Sequence, residues 1–244
     1  MSLPVALQLY TLREVDEDFT DILEKVAEIG YDGVEFAGYG GLEAQELKKT
    51  LDNLNLQATA SHVGYNELTE NLQEVIDFNL TIGNKYIVCP YLEFSDIDDL
   101  KEKTEQFNII GEKCRDNDLV FCYHNHAHEF EQMGSSSVIE LLLSKTDSSL
   151  VKFEVDTYWV KKAGYDPIAF IKKYKERIPL VHLKDMEDNE NRDFAEVGTG
   201  IMPMKELVNL AQNIKSEWLI VEQDQCKKPP LESVKISYNN LQKF

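Results

Sequence analysis

Three of the chain's five histidines stand at alternate positions in one short stretch, Phe121 to Phe130, which reads FCYHNHAHEF. His124, His126 and His128 could bind a metal, move protons, or simply enrich a polar strand end in imidazole. Three other segments end in groups of the same chemical kind: EVDTYW carries Asp156, VHLKD carries His182 and LIVEQD carries Glu222. Imidazole nitrogens combined with carboxylate oxygens suit a borderline or hard divalent ion. None of these segments is near another in sequence, so only a fold can bring them together. Taken singly, each residue has a plainer explanation. A lone histidine at a strand end is usually a hydrogen-bonded structural residue. Asp156 could cap the turn that follows it. Glu222 ends an apolar run, where a carboxylate is costly unless compensated.

The elements that must position these groups follow a regular alternation. Short apolar runs of strand character fall at Val5–Tyr10, Gly33–Phe36, Leu56–Ser61, Lys85–Cys89, Leu119–His124, Val151–Asp156, Pro179–Leu183 and Trp218–Glu222. Between them lie helical periodicities. Phe19, Ile22, Leu23, Val26, Ala27 and Ile29 form the first, with Gly30 where a C-terminal cap belongs, and Leu231, Val234 and Leu241 mark the last. Eight such units of about 30 residues fit the roughly 250 residues of a (β/α)8 barrel. The expected fold class is therefore α/β, a (β/α)8 TIM barrel, with residues 1–244 as one domain. A doubly wound open sheet usually carries a glycine-rich turn after its first strand, and QLYTLRE has no glycine.

A barrel places its site at the C-terminal strand ends. Read this way, the strands offer Gln8 and Tyr10, Glu35, Ser61 and His62, Cys89, His124 and His126, Asp156, His182 and Glu222. His128 falls past the fifth strand and reads as a loop residue.

Composition narrows the partners. The formal net charge is −19, which repels phosphate backbones and anionic lipid. No nucleic acid or membrane partner is expected. The four cysteines are scattered without a CxxC pair, so neither a zinc knuckle nor a disulfide framework is indicated. The start, MSLPVALQLY, lacks a signal-peptide layout, and no apolar run approaches the roughly 20 residues of a membrane span. These features predict a cytoplasmic protein. Homo-oligomerisation is left open.

At this level of detail the chain resembles the xylose isomerase-like barrel superfamily, which includes sugar-phosphate isomerases and epimerases, ketose 3-epimerases and the inosose dehydratase group. The resemblance runs through ALQLYTLRE, YDGVEFAG, YHNHAHEF, EVDTYWVKKAGYDP, VHLKD, EVGTG and WLIVEQD. It implies one divalent ion (Mn, Mg, Co or Zn) held from strands five to eight by Glu, Asp, His and Glu. Asp156, His182 and Glu222 match three of those positions. His124 stands where the family has its strand-five glutamate, so the fourth ligand is either His124 or Glu129, which follows in the loop. The resemblance further implies isomerisation or epimerisation of a sugar or sugar-like hydroxy-ketone through an enediolate, with Glu222 as base and His124 facing it as acid or base. A dehydratase acting on a keto-sugar or keto-inositol is the alternative, and a non-catalytic sugar-binding barrel with a degenerate metal site is a third reading. Lys184 could stabilise an enolate or merely pair with nearby acids. Tyr10, His62, His126 and Trp159 are expected to line the substrate pocket. Gly198 and Gly200 in EVGTG suit either a phosphate loop or a tight turn. A multi-metal DNA-repair endonuclease on the same barrel would need more histidines than this chain has.

Overall fold

The computed structural model describes residues 3–244. Eight parallel strands close into a barrel: β1 Val5–Gln8, β2 Gly33–Phe36, β3 Gln57–His62, β4 Tyr86–Cys89, β5 Val120–His124, β6 Val151–Asp156, β7 Leu180–Leu183 and β8 Trp218–Val221. Each strand pairs with the next in sequence. The ring closes where β1 meets β8, with Val5 opposite Leu219 and Leu7 opposite Val221. Helices follow the strands: α1 Phe19–Ile29, α2 Ala44–Leu54, α3 Leu72–Ile82, α4 Ile97–Arg115, α5 Val138–Lys145, α6 Pro167–Tyr174, α7 Met204–Asn213 and α8 Pro230–Leu241. Gly30 does end α1 in the left-handed region, at φ 112°. Among the described residues, no helix is long and apolar enough to cross a membrane.

The strand period of two sorts side chains between two cores. Ala6, Ala60, Tyr86, Val88, Cys122, Leu180, Trp218 and Ile220 fill the barrel interior. The alternate residues, such as Leu7, Ile87, Phe121, Phe153, Val181 and Leu219, pack outward against the helices. Large and small side chains share the interior layer. A Cβ on Gly33 would lie 2.5 Å from Thr59 Oγ1 and 3.2 Å from the Trp218 ring, so that position must stay bare.

Along most of the strands the inward series turns from apolar to polar at its C-terminal end. Ala6 is followed in phase by Gln8, Ala60 by His62, Cys122 by His124, Leu180 by His182 and Ile220 by Glu222. On β6, Glu154 and Asp156 both fall in this series.

Some boundaries differ from the sequence reading. β1 stops at Gln8 because that side chain accepts a hydrogen bond from the Tyr10 amide, turning Leu9–Leu12 into a 3-10 helix. β5 stops at His124, so His126 lies in the following loop. The helical face after β3 breaks at Asn71 into Tyr65–Glu70 and α3. A short helix, Thr157–Lys162, carries Trp159 directly after β6.

Candidate active site

The polar ends of the strands converge in the barrel mouth. His124, Asp156, His182 and Glu222 each place a ligand atom within 4.8 Å of the others, and His62, His124, Glu154 and His182 form a second, overlapping set. All of these but His62 are buried, and His62 is nearly so. Above them opens a cavity of about 450 Å³ lined by Tyr10, Ala37, His62, Pro90, Tyr91, His124, His126, Lys184, Glu222 and Asp224.

Carboxylates can only accept hydrogen bonds when ionised, which fixes the imidazole protons that face them. His182 Nδ1 donates to Glu222 Oε2 at 3.0 Å and its Nε2 donates to Glu35 Oε2 at 2.7 Å. With both nitrogens facing carboxylates, His182 is an imidazolium. Burial opposes that charge, but the charges of Glu154 and Glu35 outweigh it and raise the pKa well above the usual value. His62 Nε2 donates to Glu154 Oε2 at 2.8 Å and sits 3.2 Å from Glu35 Oε2. The same two carboxylates raise its pKa, against burial, to about 10.

His124 behaves differently. Burial, reinforced by the neighbouring His182 and His62 charges, holds its pKa well below normal, so the ring is neutral. Its Nδ1 donates to Glu154 Oε2 at 2.9 Å. That leaves the Nε2 lone pair facing Asp156 Oδ2, 3.6 Å away. A neutral imidazole whose second nitrogen is fixed by a carboxylate is the usual state of a metal-binding histidine.

Lys184 brings a third buried cation. Its ammonium lies 2.8 Å from Glu222 Oε2, 2.9 Å from Asp156 Oδ2 and 2.9 Å from Asp224 Oδ2. Burial opposes this charge, yet Asp156 and Glu222 hold the pKa well above normal. Glu222 is correspondingly ionised: burial raises its pKa, but Lys184 and His182 bring it well below the carboxylate range. The contacts to His182 and Lys184 all fall on Oε2. For Asp156 burial wins, and the pKa rises to about 6 despite Lys184. Asp156 also serves the turn after it, since Oδ1 accepts from the Trp159 amide at 3.1 Å.

The donor set fits a divalent ion. It offers nitrogen and oxygen ligands, a neutral imidazole with a free lone pair, and more carboxyl groups than basic ones. Five carboxyl groups (Glu35, Glu154, Asp156, Glu222 and Asp224) crowd around three basic side chains (His62, His182 and Lys184). Two buried carboxylate oxygens, Glu35 Oε1 and Glu154 Oε1, have no hydrogen-bond partner among the described residues, and Asp156 Oδ2 has the Lys184 ammonium at 2.9 Å.

The other expected residues fall in different places. Glu129 is buried but belongs to neither ligand set: Oε1 accepts from the Tyr123 hydroxyl at 2.7 Å and Oε2 from the His126 amide at 2.8 Å. The carboxylate thus closes its own loop. Tyr10, His62 and His126 line the cavity, whereas Trp159 stands behind it, its ring 5.4 Å from that of His126. His128 donates from Nε2 to the Leu92 carbonyl. Sequence reasoning passed over Glu154 and Asp224 and gave Glu35 and Gln8 no role. Gln8 Nε2 donates to Glu35 Oε2 at 2.7 Å. The signal for Glu154 was present: it shares the phase of Asp156 in VKFEVD.

The match to known proteins agrees with this architecture. Residues 23–243 match the family described as xylose isomerase-like TIM barrel, and the chain belongs to that family. Among its curated relatives is the inosose dehydratase of Bacillus thuringiensis (strain Al Hakam), 26% identical over 250 residues covering 86% of this chain and 83% of that one. The Clostridium tetani (strain Massachusetts / E88) inosose dehydratase is 25% identical over 259 residues, 89% of this chain and 86% of the relative. A sugar phosphate isomerase/epimerase from Parabacteroides distasonis superposes with a TM-score of 0.86 at 25% identity, over 99% of this chain and 94% of the other. The IOLI protein, solved with a binding zinc atom, shares the fold at a TM-score of 0.79 and 14% identity, over 100% and 97% of the two chains.

Proposed function

We propose that the chain is a divalent-metal-dependent enzyme that removes the proton beside the carbonyl of a sugar or cyclitol hydroxy-ketone, with loss of water as the favoured outcome. The observation that carries this reading is the convergence of His124, Asp156, His182 and Glu222 beneath a cavity that also holds Lys184. These four residues would hold the ion, with His124 rather than Glu129 as the ligand from the β5 side. When bound, a divalent ion supplies Lewis acidity that polarises a carbonyl and makes the adjacent C–H more acidic.

The chain's own groups do the rest. Glu222 is ionised, and its Oε1 carries neither the His182 nor the Lys184 contact, so it can accept the substrate proton. The electron pair left on carbon forms the enediolate, which expels the hydroxyl on the next carbon. The Lys184 ammonium faces the cavity and can protonate that hydroxyl as it departs as water. His126, neutral because burial and Lys184 lower its pKa to about 3, can relay the proton back. Tyr10 and Tyr91 wall the cavity and can cover the apolar faces of a ring.

Dehydration is favoured because the cavity's two lining carboxylates, Glu222 and Asp224, come from one side, while His62, His124 and His126 face them. The inosose dehydratase relatives support the same outcome. Isomerisation or epimerisation is the second reading, supported by the likeness to the sugar phosphate isomerase/epimerase. It would need His126 to return the proton.

The test is metal analysis of protein purified without chelator, followed by turnover of keto-inositols and ketoses. The expected result is near-stoichiometric Mn, Mg, Co or Zn, lost in His182→Ala, with unsaturated product from a keto-inositol. A protein that takes up no ion even from excess would sink the proposal and leave a sugar-binding barrel. Glu222→Gln should abolish exchange of the substrate C–H with deuterated solvent.

A further inference from the structure

The loop after β7 is where a barrel of this kind commonly binds a phosphate, and EVGTG there has the glycines for one. In this chain the backbone donors of that region are already taken. Asp185 Oδ1 accepts from the Met186 and Met202 amides at 2.8 and 3.0 Å, and Oδ2 accepts from the Gly198 and Gly200 amides at 2.8 and 3.0 Å. The carboxylate is buried, at 1% exposure. A Cβ on Gly200 would lie 2.2 Å from the Met186 carbonyl and 2.5 Å from Asp185 Oδ1. The two glycines therefore serve to wrap the loop around an internal anion. Four converging N–H groups make an anion site, and this one is filled from within the chain.

The cavity itself offers an incoming anion little. Lys184 is its lining ammonium, and three carboxylates already face it. Arg13, near the rim, donates to the Tyr10 and Asp224 carbonyls and lies over the Tyr10 ring, 4.0 Å from its centre. Lys227 and Lys228 pair with Glu187 and Glu196. His62, the other strongly basic group on the cavity wall, is taken up by Glu154 at 2.8 Å and Glu35 at 3.2 Å. A phosphate dianion would add negative charge with nothing to match it.

We infer that the substrate is an uncharged polyhydroxy ketone, carrying neither phosphate nor carboxylate, because Asp185 occupies the anion cradle and acidic side chains surround the cavity's ammonium. This rests on the reading of the mouth as the substrate site and narrows it to one substrate class.

The experiment compares matched pairs on metal-loaded protein: fructose with fructose 6-phosphate and tagatose with tagatose 6-phosphate, with keto-inositol as an unpaired probe. Binding is read by calorimetry and turnover by C–H exchange. Placing like charges together costs several kcal/mol, so the neutral member should be favoured by roughly a hundredfold. A phosphate ester that binds or turns over as well as its neutral partner overturns the inference. If no sugar of either kind binds, the functional reading fails, and inorganic phosphate then decides the charge question on metal-free protein. Shifts of the Gly198 and Gly200 amide resonances at millimolar phosphate would overturn it; unchanged resonances would support it. Arg13→Ala adds a further arm, since a phosphate-ester activity that disappears with Arg13 would reveal an anion contact that the cradle argument excludes. In Asp185→Ala the cradle is vacated, and inorganic phosphate should raise the melting temperature of that variant but not of the native chain.

Discussion

Replacing Lys184 with methionine removes a buried ammonium while keeping most of its aliphatic length. In the native mouth that ammonium faces Asp156, Glu222 and Asp224, all within 3 Å of it. Its loss strands three carboxyl groups in a low-dielectric pocket where acids already outnumber bases. Removing one partner of a buried ion pair costs about 3–5 kcal/mol. For a chain of this size each kcal/mol moves the melting temperature by about 2–4 °C, so metal-free Lys184→Met should melt about 6–20 °C below the native protein. Protonation relieves the stranded carboxylates, so the deficit should shrink on going from pH 8 to pH 5. A divalent ion relieves them too. Binding at a hundredfold excess over Kd adds about 2.7 kcal/mol to any protein, but the freed oxygens of Asp156 and Glu222 should make the gain on adding manganese larger in the variant than in the native chain. Differential scanning calorimetry at both pH values, with chelator and with metal, reads all four states. Stability regained with metal while turnover stays depressed by about a hundredfold or more would separate the charge role of Lys184 from its proposed role as proton donor. A metal-free deficit under about 1 kcal/mol, or a deficit that metal leaves untouched, would refute the picture of an ammonium balancing the mouth.

Three further outcomes follow from the same geometry. Burial lifts the Asp156 pKa to about 6, above its unfolded value near 3.9, so protonation stabilises the fold at low pH and that contribution is lost as pH rises through the interval. Asp156→Asn should abolish this fall in a metal-free pH titration of the melting temperature, and an unchanged pH profile would contradict it. Glu129→Ala should keep its metal in equilibrium dialysis and lose about 1–3 kcal/mol in urea melts, because the Tyr123 hydroxyl and the His126 amide lose their acceptor; His124→Ala should lose metal affinity instead, and the reverse pattern would reassign the fourth ligand. His182 is bonded to carboxylates through both nitrogens, so metal binding must displace a proton from it. Calorimetry in two buffers of different ionisation enthalpy should show that release and an affinity that grows with pH; identical heats in both would count against His182 as a ligand.

The alternation of apolar runs and helical faces made the barrel legible, because eight strand–helix units of this size have few other ways to close. The barrel then made the mouth legible, since strand phase alone places His124, Asp156, His182 and Glu222 at one end. Where reading from the sequence stopped short, the reason was contact rather than pattern. Glu154 sits in phase with Asp156, but nothing in VKFEVD says that it will meet three histidines from three other strands. Nothing in YHNHAHEF says that Glu129 turns back to its own loop and leaves His124 to face Asp156. The glycines of EVGTG fit a phosphate or a turn equally well until Asp185 is seen to fill the space between them. Residue type and period fix which side of a strand a group takes. Which acid meets which base is decided only when the ring closes, because each proton in the mouth is placed by partners that lie far apart in the chain.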